Sequence, residues 1–231
     1  MNWTVPRIWE GGDVWILGGG PSVTKQFDIP DEVVQAVKAG TSPLSVYSKY
    51  MKPIHNKHVI GINVVFLIGD WMDMVFFGDG GFFQRYKEQL AVWKGLKVCC
   101  HCDVENQPWV KFIEKNRQHA KGISPRPDRV SWNGNSGAAA ISVAANAGAK
   151  RIFLLGFDMA LGADQYQHFH NVYNRGPIVK EDQLAKLHFG IHLLGFPQIK
   201  EDAKKMGIEI INVSPTSEIQ EFRKVSLKEI I

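Results

Sequence analysis

The chain has 231 residues, of which 45% are hydrophobic and 22% are charged, and its formal net charge is +4 at pH 7. This length predicts one full-sized hydrophobic core, and the composition is ordinary for a globular protein. Lysines and arginines are scattered without interleaved aromatic residues, so a nucleic-acid surface is not expected. The longest apolar run, near residues 64–68, is too short to span a membrane, and no signal peptide is visible at the N-terminus.

The first informative stretch is VWILGGGPSV, residues 14–23. Its four leading apolar residues predict a strand that is covered on both faces, as strands of parallel sheets are. Three glycines then predict a sharp turn before Pro21 and Ser22, with backbone amides free to approach a phosphate or a nucleotide. A tight turn without a ligand is the alternative. The stretch lacks the third glycine of the dinucleotide fingerprint and the Gly-Lys-Ser/Thr end of the P-loop, so neither motif is supported.

Apolar runs and helical patterns alternate along the rest of the chain. Strands are predicted at 14–17, 59–63, 73–78, 96–101, 151–155 and 208–213. Helices are predicted at 21–27, 31–39, 82–93, 108–116, 137–146 and 182–206, the last interrupted near residues 195–197. This alternation predicts an α/β fold with a doubly wound, mostly parallel, Rossmann-like sheet in a single domain, residues 1–231.

Three segments do not fit the alternation. Residues 41–57 are polar and contain two prolines, which predicts an irregular, flexible insert. Residues 161–180 form a long loop rich in aromatic residues and histidines, and a loop of this length predicts a functional, lid-like segment. The amphipathic end of the chain, residues 222–231, is expected to cap the core or to join a partner, so a homo-oligomer stays open.

Cys99, Cys100 and Cys102 lie together in the sequence KVCCHCD. A zinc site usually needs a second pair of cysteines, and the chain has none, so a metal is the less favoured interpretation. The pattern predicts a buried strand with free thiols. Free thiols indicate a reducing compartment, and the expected location is therefore the cytoplasm.

Polar residues and glycines follow several predicted strands. Because the carboxyl ends of parallel strands meet at one edge of a sheet, one ligand site is expected there. The residues expected at this site are Gly18, Gly19, Gly20, Pro21, Ser22, Asn63, Asp79, Asn135, Ser136, Gly137 and Asp158. Amides at helix starts would hold an anionic group, and Asn63 and Ser136 would supply neutral hydrogen bonds. Asp79 and Asp158 would accept ribose hydroxyls or hold Mg²⁺, with turn and N-cap roles as alternatives.

His168 and His170 are two residues apart, so in an extended segment both side chains would point the same way. This spacing suits a metal pair or a catalytic base, provided that a carboxylate such as Asp158 or Asp164 completes the set. Histidine is a suitable general base near neutral pH. A surface position without function is the alternative.

The sequence blocks ILGGGPSV, GIN, DMVFFGD, NSGAAAISVAANAGAKRIFLLGFDM and QHFH occur in this order over most of the chain. In this order they resemble the phage-encoded proteins labelled norphogenetic protein. The resemblance implies a phage-encoded chain in the cytoplasm of a bacterial host, and it implies no activity.

More distantly, the same motif order resembles two enzyme families with Rossmann-like folds. One is the bacterial sialyltransferase family that uses CMP-sialic acid, in which a G-N-G-P-S turn, a C-N pair and a T-S-G helix start hold the nucleotide. Matching positions here are Gly18, Gly20, Pro21, Ser22, Asn63, Ser136 and Gly137. Gly19 replaces the asparagine of that turn, which removes one nucleotide contact. The family's catalytic histidine lies further along the chain than His168 and His170.

The other family is the archaeal MptE-like 6-hydroxymethylpterin diphosphokinase family. In that family, aspartates near the third strand bind metal and phosphate, so the resemblance points to Asp73 and Asp79.

The leading hypothesis is a nucleotide-dependent transferase of the glycosyltransferase type, with a nucleotide-sugar donor. His168 or His170 would deprotonate the acceptor, and Asp158 would assist. One alternative is a Mg²⁺-dependent diphosphokinase that holds the metal through Asp79. The other alternative is a non-catalytic phage structural or interaction protein. The nucleotide base, the sugar and the acceptor stay open.

Overall fold

The computed structural model describes residues 2–116, 121–184 and 186–231, which form one eight-stranded sheet and one two-stranded sheet. The strands are β1 (Asp13–Leu17), β2 (His58–Ile62), β3 (Met74–Phe77), β4 (Leu96–Cys99), β5 (Lys111–Phe112), β6 (Glu114–Lys115), β7 (Arg129–Val130), β8 (Arg151–Leu155), β9 (Glu209–Asn212) and β10 (Arg223–Lys224). The helices are α1 (Val23–Gln26), α2 (Asp31–Lys38), α3 (Gly80–Val92), α4 (Ser136–Asn146), α5 (Glu181–Leu184), α6 (Phe189–Leu193) and α7 (Phe196–Met206).

The large sheet has the order β10-β9-β8-β1-β2-β3-β4-β5, and every neighbouring pair in it is parallel. Strand β1 lies between β2 and β8, and the chain extends outward from β1 in both directions. The carboxyl ends of β1 and β8 therefore flank the point where the strand order reverses. In open α/β sheets, ligands bind in the crevice at that point.

The sheet is covered on both faces, which confirms the predicted doubly wound α/β fold. Within β1, Trp15 and Leu17 belong to the core on one face, together with residues of α2 and α3. Val14 and Ile16 belong to the core on the other face, together with residues of α4 and α7. This division follows from the alternation of side chains along a strand. It explains why the strand is apolar throughout.

Helix α4 is buried over its whole length. Five of its eleven residues are alanines, and their short side chains let the helix axis approach the sheet closely. A Cβ atom at Gly137 would lie 2.9 Å from the Phe157 ring, so the first turn packs directly on the segment that follows β8. The small residues thus bring the start of α4 to the carboxyl edge of the sheet.

Two sequence-based element predictions are wrong. Residues 108–116 are not helical but contain the short strands β5 and β6, of which β5 pairs with β4. Phe112 and Val110 are buried, and the Phe112 carbonyl accepts a hydrogen bond from the Trp3 amide at 2.6 Å, so tertiary pairing decides this segment. Residues 182–206 belong to three separate helices, α5, α6 and α7, and not to one long helix. The interruption predicted near residues 195–197 is confirmed by the break between α6 and α7, and residue 185 lies outside the described residues.

Residues 41–57 are also more regular than predicted. They contain two 3-10 helices, Leu44–Tyr50 and Lys52–Ile54. Tyr47, Met51 and Ile54 are fully buried in the core, because apolar residues recur every three or four positions in this otherwise polar segment. The irregular character predicted for the insert is wrong, and its flexibility stays a prediction.

The C-terminal segment follows its prediction, whereas the cysteines follow theirs only in part, because β4 ends at Cys99 and Cys102 is exposed. Cys99 and Cys100 are buried, Cys102 is exposed, and all three are free thiols. Burial raises the pKa of Cys99 and raises that of Cys100 to about 12, so these two thiols are protonated at neutral pH. Residues 222–231 cap the core, with Leu227 buried and its amide bonded to Gln26 at 2.7 Å.

None of the helices within the described ranges has the length and apolar character needed to cross a bilayer.

Candidate functional site

A cleft opens at the carboxyl edge of the sheet, next to the ends of β1 and β8. Its inner chamber, of about 150 Å³, is lined by Gly18, Gly19, Gly20, Asn63, Asn135, Ser136, Gly137, Asp158, His168 and His192, among others. Its outer chamber, of about 480 Å³, is lined by Asp79, Arg85, Tyr86, Trp132, Tyr173, Arg175, Lys186, His188 and the shared residues. The two chambers share six residues: Asn63, Asn135, Ser136, Gln167, His168 and His192. They therefore form one continuous cleft.

A larger cavity of about 650 Å³ lies elsewhere, between α7 and β9. It is bordered by Lys150, Arg151 and Glu209, which mark the amino ends of β8 and β9. The cleft is the candidate functional site despite its smaller volume, because ligands of open α/β sheets bind at the carboxyl ends of the strands.

The glycine turn forms one wall of the inner chamber and packs against the segment after β8. The Gly18 amide donates to the Leu155 carbonyl at 2.7 Å, and the Gly20 amide donates to the Gly156 carbonyl at 2.9 Å. A Cβ atom at Gly20 would overlap the Asp158 carboxylate and lie 2.6 Å from the Gly156 carbonyl oxygen. Only glycine fits at this position, because Asp158 and Gly156 pack directly against the turn.

Asp158 supports the turn from behind. Its side chain is buried, at 4% exposure, and Oδ2 accepts hydrogen bonds from the Ser22 amide at 3.3 Å and from Ser22 Oγ at 3.0 Å. Ser22 Oγ also contacts Ser214 Oγ at 3.0 Å. Burial raises the pKa of Asp158, and the hydrogen bonds from Ser22 oppose that rise. The carboxylate borders the inner chamber but bonds to the turn, which makes it a positioning group in this geometry.

Pro21 and Ser22 do not line either chamber. Ser22 is buried beneath the turn, and Pro21 lies about 3.0 Å from the Cβ position of Gly162 in the 161–180 loop. Of the five residues predicted in the turn, the structure therefore brings Gly18, Gly19 and Gly20 to the chamber wall.

Asn63 lies directly after β2, where the sequence predicted it. Its φ angle is +54°, a left-handed conformation that asparagine tolerates better than most residues. Its Oδ1 atom is buried without a hydrogen-bond partner among the described residues. Buried polar atoms in native proteins nearly always have partners, so this atom marks a place for a ligand or for water.

The start of α4 forms a second wall, as predicted. Asn135 is the N-cap residue, and its Oδ1 accepts a hydrogen bond from the Ala138 amide at 2.7 Å. Ser136 and Gly137 form the first turn and line the inner chamber. The positive end of the helix dipole and the remaining free amides favour a negatively charged ligand group here.

His168 and His170 stack on each other, with ring centroids 5.1 Å apart and an interplanar angle of 14°. The edge of Tyr173 packs against both rings. His168 lines both chambers, and its Nδ1 is buried without a partner among the described residues. His170 is only 2% exposed, lines neither chamber, and accepts a hydrogen bond from the Val172 amide at 3.3 Å. The structure therefore separates the two histidines, and only His168 faces the cleft.

Burial lowers the pKa of both histidines, that of His168 to about 4 and that of His170 well below its ordinary value. Both imidazoles are therefore neutral at pH 7. Neutral imidazole is the form that accepts a proton in base catalysis, but a pKa of about 4 makes His168 a weaker base than an ordinary histidine, because a general base works best when its pKa is near the working pH.

Gly19 is the residue that makes room for these rings. A Cβ atom at position 19 would lie 3.0 Å from His168 Nδ1 and 3.6 Å from His170 Nε2. The Gly19 carbonyl also accepts a hydrogen bond from the Phe169 amide at 3.0 Å. The glycine that departs from the G-N-G-P-S pattern is thus matched to the histidines of the 161–180 loop.

No carboxylate completes a metal or catalytic set with His168 in the described part of the chain. Asp164 forms an ion pair with Lys38, and Asp158 is bonded to Ser22. Asp79, the predicted metal ligand, lines the outer chamber and caps α3, its Oδ1 accepting from the Gly81 amide at 2.8 Å.

The described residues contain one cluster with three groups that could ligate a metal: His101, Cys102 and Asp103, directly after β4. His101 Nδ1 in this cluster already accepts a hydrogen bond from the Asp103 amide at 3.3 Å. The cluster therefore offers a metal fewer free ligand atoms than its residue types suggest.

The sequence analysis missed the wall formed by residues 186–192. His192 lines both chambers, and its carbonyl accepts a hydrogen bond from Asn135 Nδ2 at 3.5 Å. Burial and the neighbouring His188 lower the pKa of His192. The four-residue spacing of His188 and His192, which places both on one helical face, is the signal that could have identified them.

No model of a protein family matches the chain, and no curated protein matches it. Among solved structures, it is similar to the Maf glycosyltransferase from Magnetospirillum magneticum AMB-1, with a TM-score of 0.57 and 12% identity over 99% of this chain. The chain spans 36% of that protein.

It is also similar to sialyltransferase CstII from Campylobacter jejuni in complex with cytidine-5'-monophosphate, with a TM-score of 0.50 and 16% identity over 93% of this chain and 84% of that one. For sialyltransferase CST-II in complex with a trisaccharide acceptor and CMP, the TM-score is 0.50 and the identity is 15%, over 93% of this chain and 86% of that one. The chain shares the fold of these glycosyltransferases. At these identities the likeness concerns the fold, and it lends no support to the norphogenetic or MptE-like resemblance.

Proposed function

We propose that the protein is a nucleotide-dependent transferase of the glycosyltransferase type that uses a nucleotide-sugar donor. The observation that carries the proposal is the buried Oδ1 atom of Asn63, which lines the inner chamber and has no hydrogen-bond partner among the described residues. Asn63 directly follows β2, the neighbour of β1, and the inner chamber extends from there to the glycine turn and the start of α4. The shared fold with a sialyltransferase that was solved with CMP supports the same interpretation.

In this proposal the donor nucleotide occupies the inner chamber. Asn63 binds the nucleoside, and the first turn of α4 stabilises the phosphate, because its amides and dipole favour negative charge. The acceptor hydroxyl oxygen forms a bond to the anomeric carbon of the donor sugar. The bond from that carbon to the phosphate oxygen breaks, and the nucleotide leaves with the electron pair.

A histidine takes the proton of the acceptor hydroxyl. His168 is the base expected from the sequence, and His192 is the second histidine that lines both chambers. His170 is enclosed and bonded to Val172, so we assign it the role of supporting His168. Loss of the base lowers turnover by roughly two to four orders of magnitude and leaves nucleotide affinity nearly unchanged. Comparison of His168→Gln with His192→Gln identifies the base.

The first experiment is a thermal-shift screen of the full chain with CMP, CDP, UDP, GDP, ADP, CTP and ATP, each with and without Mg²⁺. A nucleotide at about a hundred times its Kd adds roughly 2.7 kcal/mol to the free energy of unfolding, which gives a clear shift. A metal-independent shift with a nucleoside mono- or diphosphate supports the proposal. We expect Asn63→Ala to abolish it and the exposed control Asn106→Ala to retain it.

Two other outcomes overturn the proposal. A response to ATP that requires Mg²⁺ favours a diphosphokinase with Asp79 as a metal ligand. No response to any nucleotide favours a non-catalytic binding protein on this fold, such as a phage structural or interaction protein.

A further inference from the structure

The outer chamber has an unbalanced charge. Arg85, Arg175 and Lys186 line it, whereas Asp79 is the one carboxylate among its described lining residues. Asp79 Oδ1 is already engaged by the Gly81 and Phe82 amides at the start of α3. The chamber therefore presents more positive charge than its own carboxylate can neutralise.

Both arginines keep guanidinium N–H groups for a ligand, although Arg175 Nη1 also donates a hydrogen bond to Gln167 Oε1 at 3.5 Å. Neither Arg85 nor Arg175 forms an ion pair with any residue in the described ranges. Their guanidinium groups lie 5.8 Å and 5.6 Å from the ring centres of Tyr86 and Tyr173. Such contacts orient a guanidinium but leave its N–H donors available. A guanidinium is well suited to two parallel hydrogen bonds with a carboxylate or phosphate.

These charges lie away from the site proposed for the nucleotide. Arg85, Arg175 and Lys186 line the outer chamber and do not line the inner one, which holds the glycine turn. His188 and His192 also line the outer chamber, and either imidazole could accept a proton from a hydroxyl bound there. The outer chamber is therefore the part of the cleft where the acceptor would lie.

We propose that the outer chamber recognises its acceptor through a negative charge, so that the acceptor is a sugar or glycan that carries a carboxylate or phosphate group. This inference rests on the proposed glycosyl transfer, because that reaction defines which ligand is the acceptor. Arg85 and Arg175 bind the anionic group, and Lys186, which is 3.6 Å from Asp182, adds to the positive potential.

The test is calorimetric titration of the full chain with D-glucose, D-glucuronate and glucose 6-phosphate, with and without saturating CMP. These three probes differ only at C6, which carries a hydroxyl, a carboxylate or a phosphate. We expect at least one anionic probe to bind about tenfold more tightly than glucose, a difference of about 1.4 kcal/mol. Comparison of the two anionic probes shows whether the site prefers carboxylate or phosphate. Added salt should weaken the preference, because the site is open to solvent.

The variant for this test is Arg85→Gln combined with Arg175→Gln. The control is Lys87→Gln combined with Lys94→Gln, which removes the same charge from exposed positions that line neither chamber. We expect the preference for the anionic probe to disappear in the arginine variant and to persist in the control. CMP affinity should be the same in both.

Equal binding of the three probes, or binding of none, overturns the inference. A loss of CMP affinity in the arginine variant also overturns it, because the arginines would then serve the donor. Failure of the proposed function itself would appear differently, as an absence of nucleotide binding in the unmodified chain.

Discussion

At the scale of single residues, the shape of the site depends on buried polar groups that bond to one another behind the glycine turn. Ser214 Oγ accepts a hydrogen bond from the Gly156 amide at 3.2 Å and contacts Ser22, which in turn bonds to Asp158. These side chains hold the glycine turn and the segment after β8 at a fixed separation. Each polar group is buried, and the network gives each a partner, so the network resists distortion.

The tightest point of this arrangement is Gly20. We expect Gly20→Ala to reduce the free energy of unfolding by about 1–3 kcal/mol, because the added methyl group overlaps the Asp158 carboxylate. Urea denaturation measures this change. We also expect the variant to lose any nucleotide-induced thermal shift, since the turn must move away from its present position.

Gly190→Ala is the control for that substitution. No atom lies within 4 Å of the Cβ position of Gly190, which is in helix α6, so the change should be neutral or stabilise by up to about 1 kcal/mol. Equal stability of the Gly20 and Gly190 variants would contradict the close packing described for the turn.

At the scale of elements, the cleft is built from helix starts that are capped by side chains. Asn135 caps α4 and Asp79 caps α3, and both caps lie at the carboxyl edge of the sheet. In each case the cap side chain satisfies amides that the first turn leaves without partners. The polar residues that the sequence places after the strands therefore have a structural role, whether or not they also bind a ligand.

Asp79 allows the structural role to be separated from metal binding. We expect Asp79→Ala to lower stability by about 1 kcal/mol and Asp79→Ser to retain most of it, because serine can also accept the amide hydrogen bonds. Thermal unfolding with and without Mg²⁺ measures both effects. Stabilisation by Mg²⁺ that is present in the unmodified chain and absent in Asp79→Ser would instead establish Asp79 as a metal ligand.

At the scale of the whole molecule, the 161–180 loop forms part of the cleft wall and is anchored by contacts with distant parts of the chain. Asp164 pairs with Lys38 of α2, the Phe169 carbonyl accepts from Tyr47 at 3.2 Å, and the Phe169 amide donates to Gly19. These contacts bury His170 and leave His168 half-buried beside the cleft. The motion of this loop as a lid stays a prediction. Because distant segments anchor the loop, the position of the two histidines depends on the fold of the whole chain.

That burial predicts a pH dependence of stability. The unfolded chain binds a proton at His168 near pH 6.5, whereas the folded protein does not until about pH 4. Between these values the unfolded state holds more protons, so the free energy of unfolding decreases as the pH falls. The full contribution is present above pH 6.5. At about pH 5, the lowered pKa of His168 alone should reduce the free energy of unfolding by roughly 2 kcal/mol. The lowered pKa of His170 reduces it further.

Urea denaturation at a series of pH values checks this expectation. The His168→Gln/His170→Gln variant should show a flatter profile, and the exposed control His188→Gln should match the unmodified chain. Parallel profiles for all three proteins would contradict the assignment of the pH dependence to the buried pair.

The sequence by itself determined the fold class and the position of the site within it. The apolar strand before Gly18 predicted a sheet covered on both faces, because a strand without polar residues has no face suited to solvent exposure. Gly20, Asn63 and Ser136 were predicted from their places directly after strands and at a helix start. Local pattern suffices for these features, since strand direction and the meeting of strand ends at one edge follow from a parallel sheet.

Only the tertiary structure decided which of the converging side chains face the ligand space. It turned Asp158 toward Ser22, enclosed His170, and brought His192 into the cleft from a separate helix. It also made strands of residues 111–112 and 114–115, where a helix was predicted. These outcomes depend on contacts between segments far apart in the chain. Hydrophobic periodicity indicates which residues of a segment are buried, but it does not indicate which distant segment packs against them.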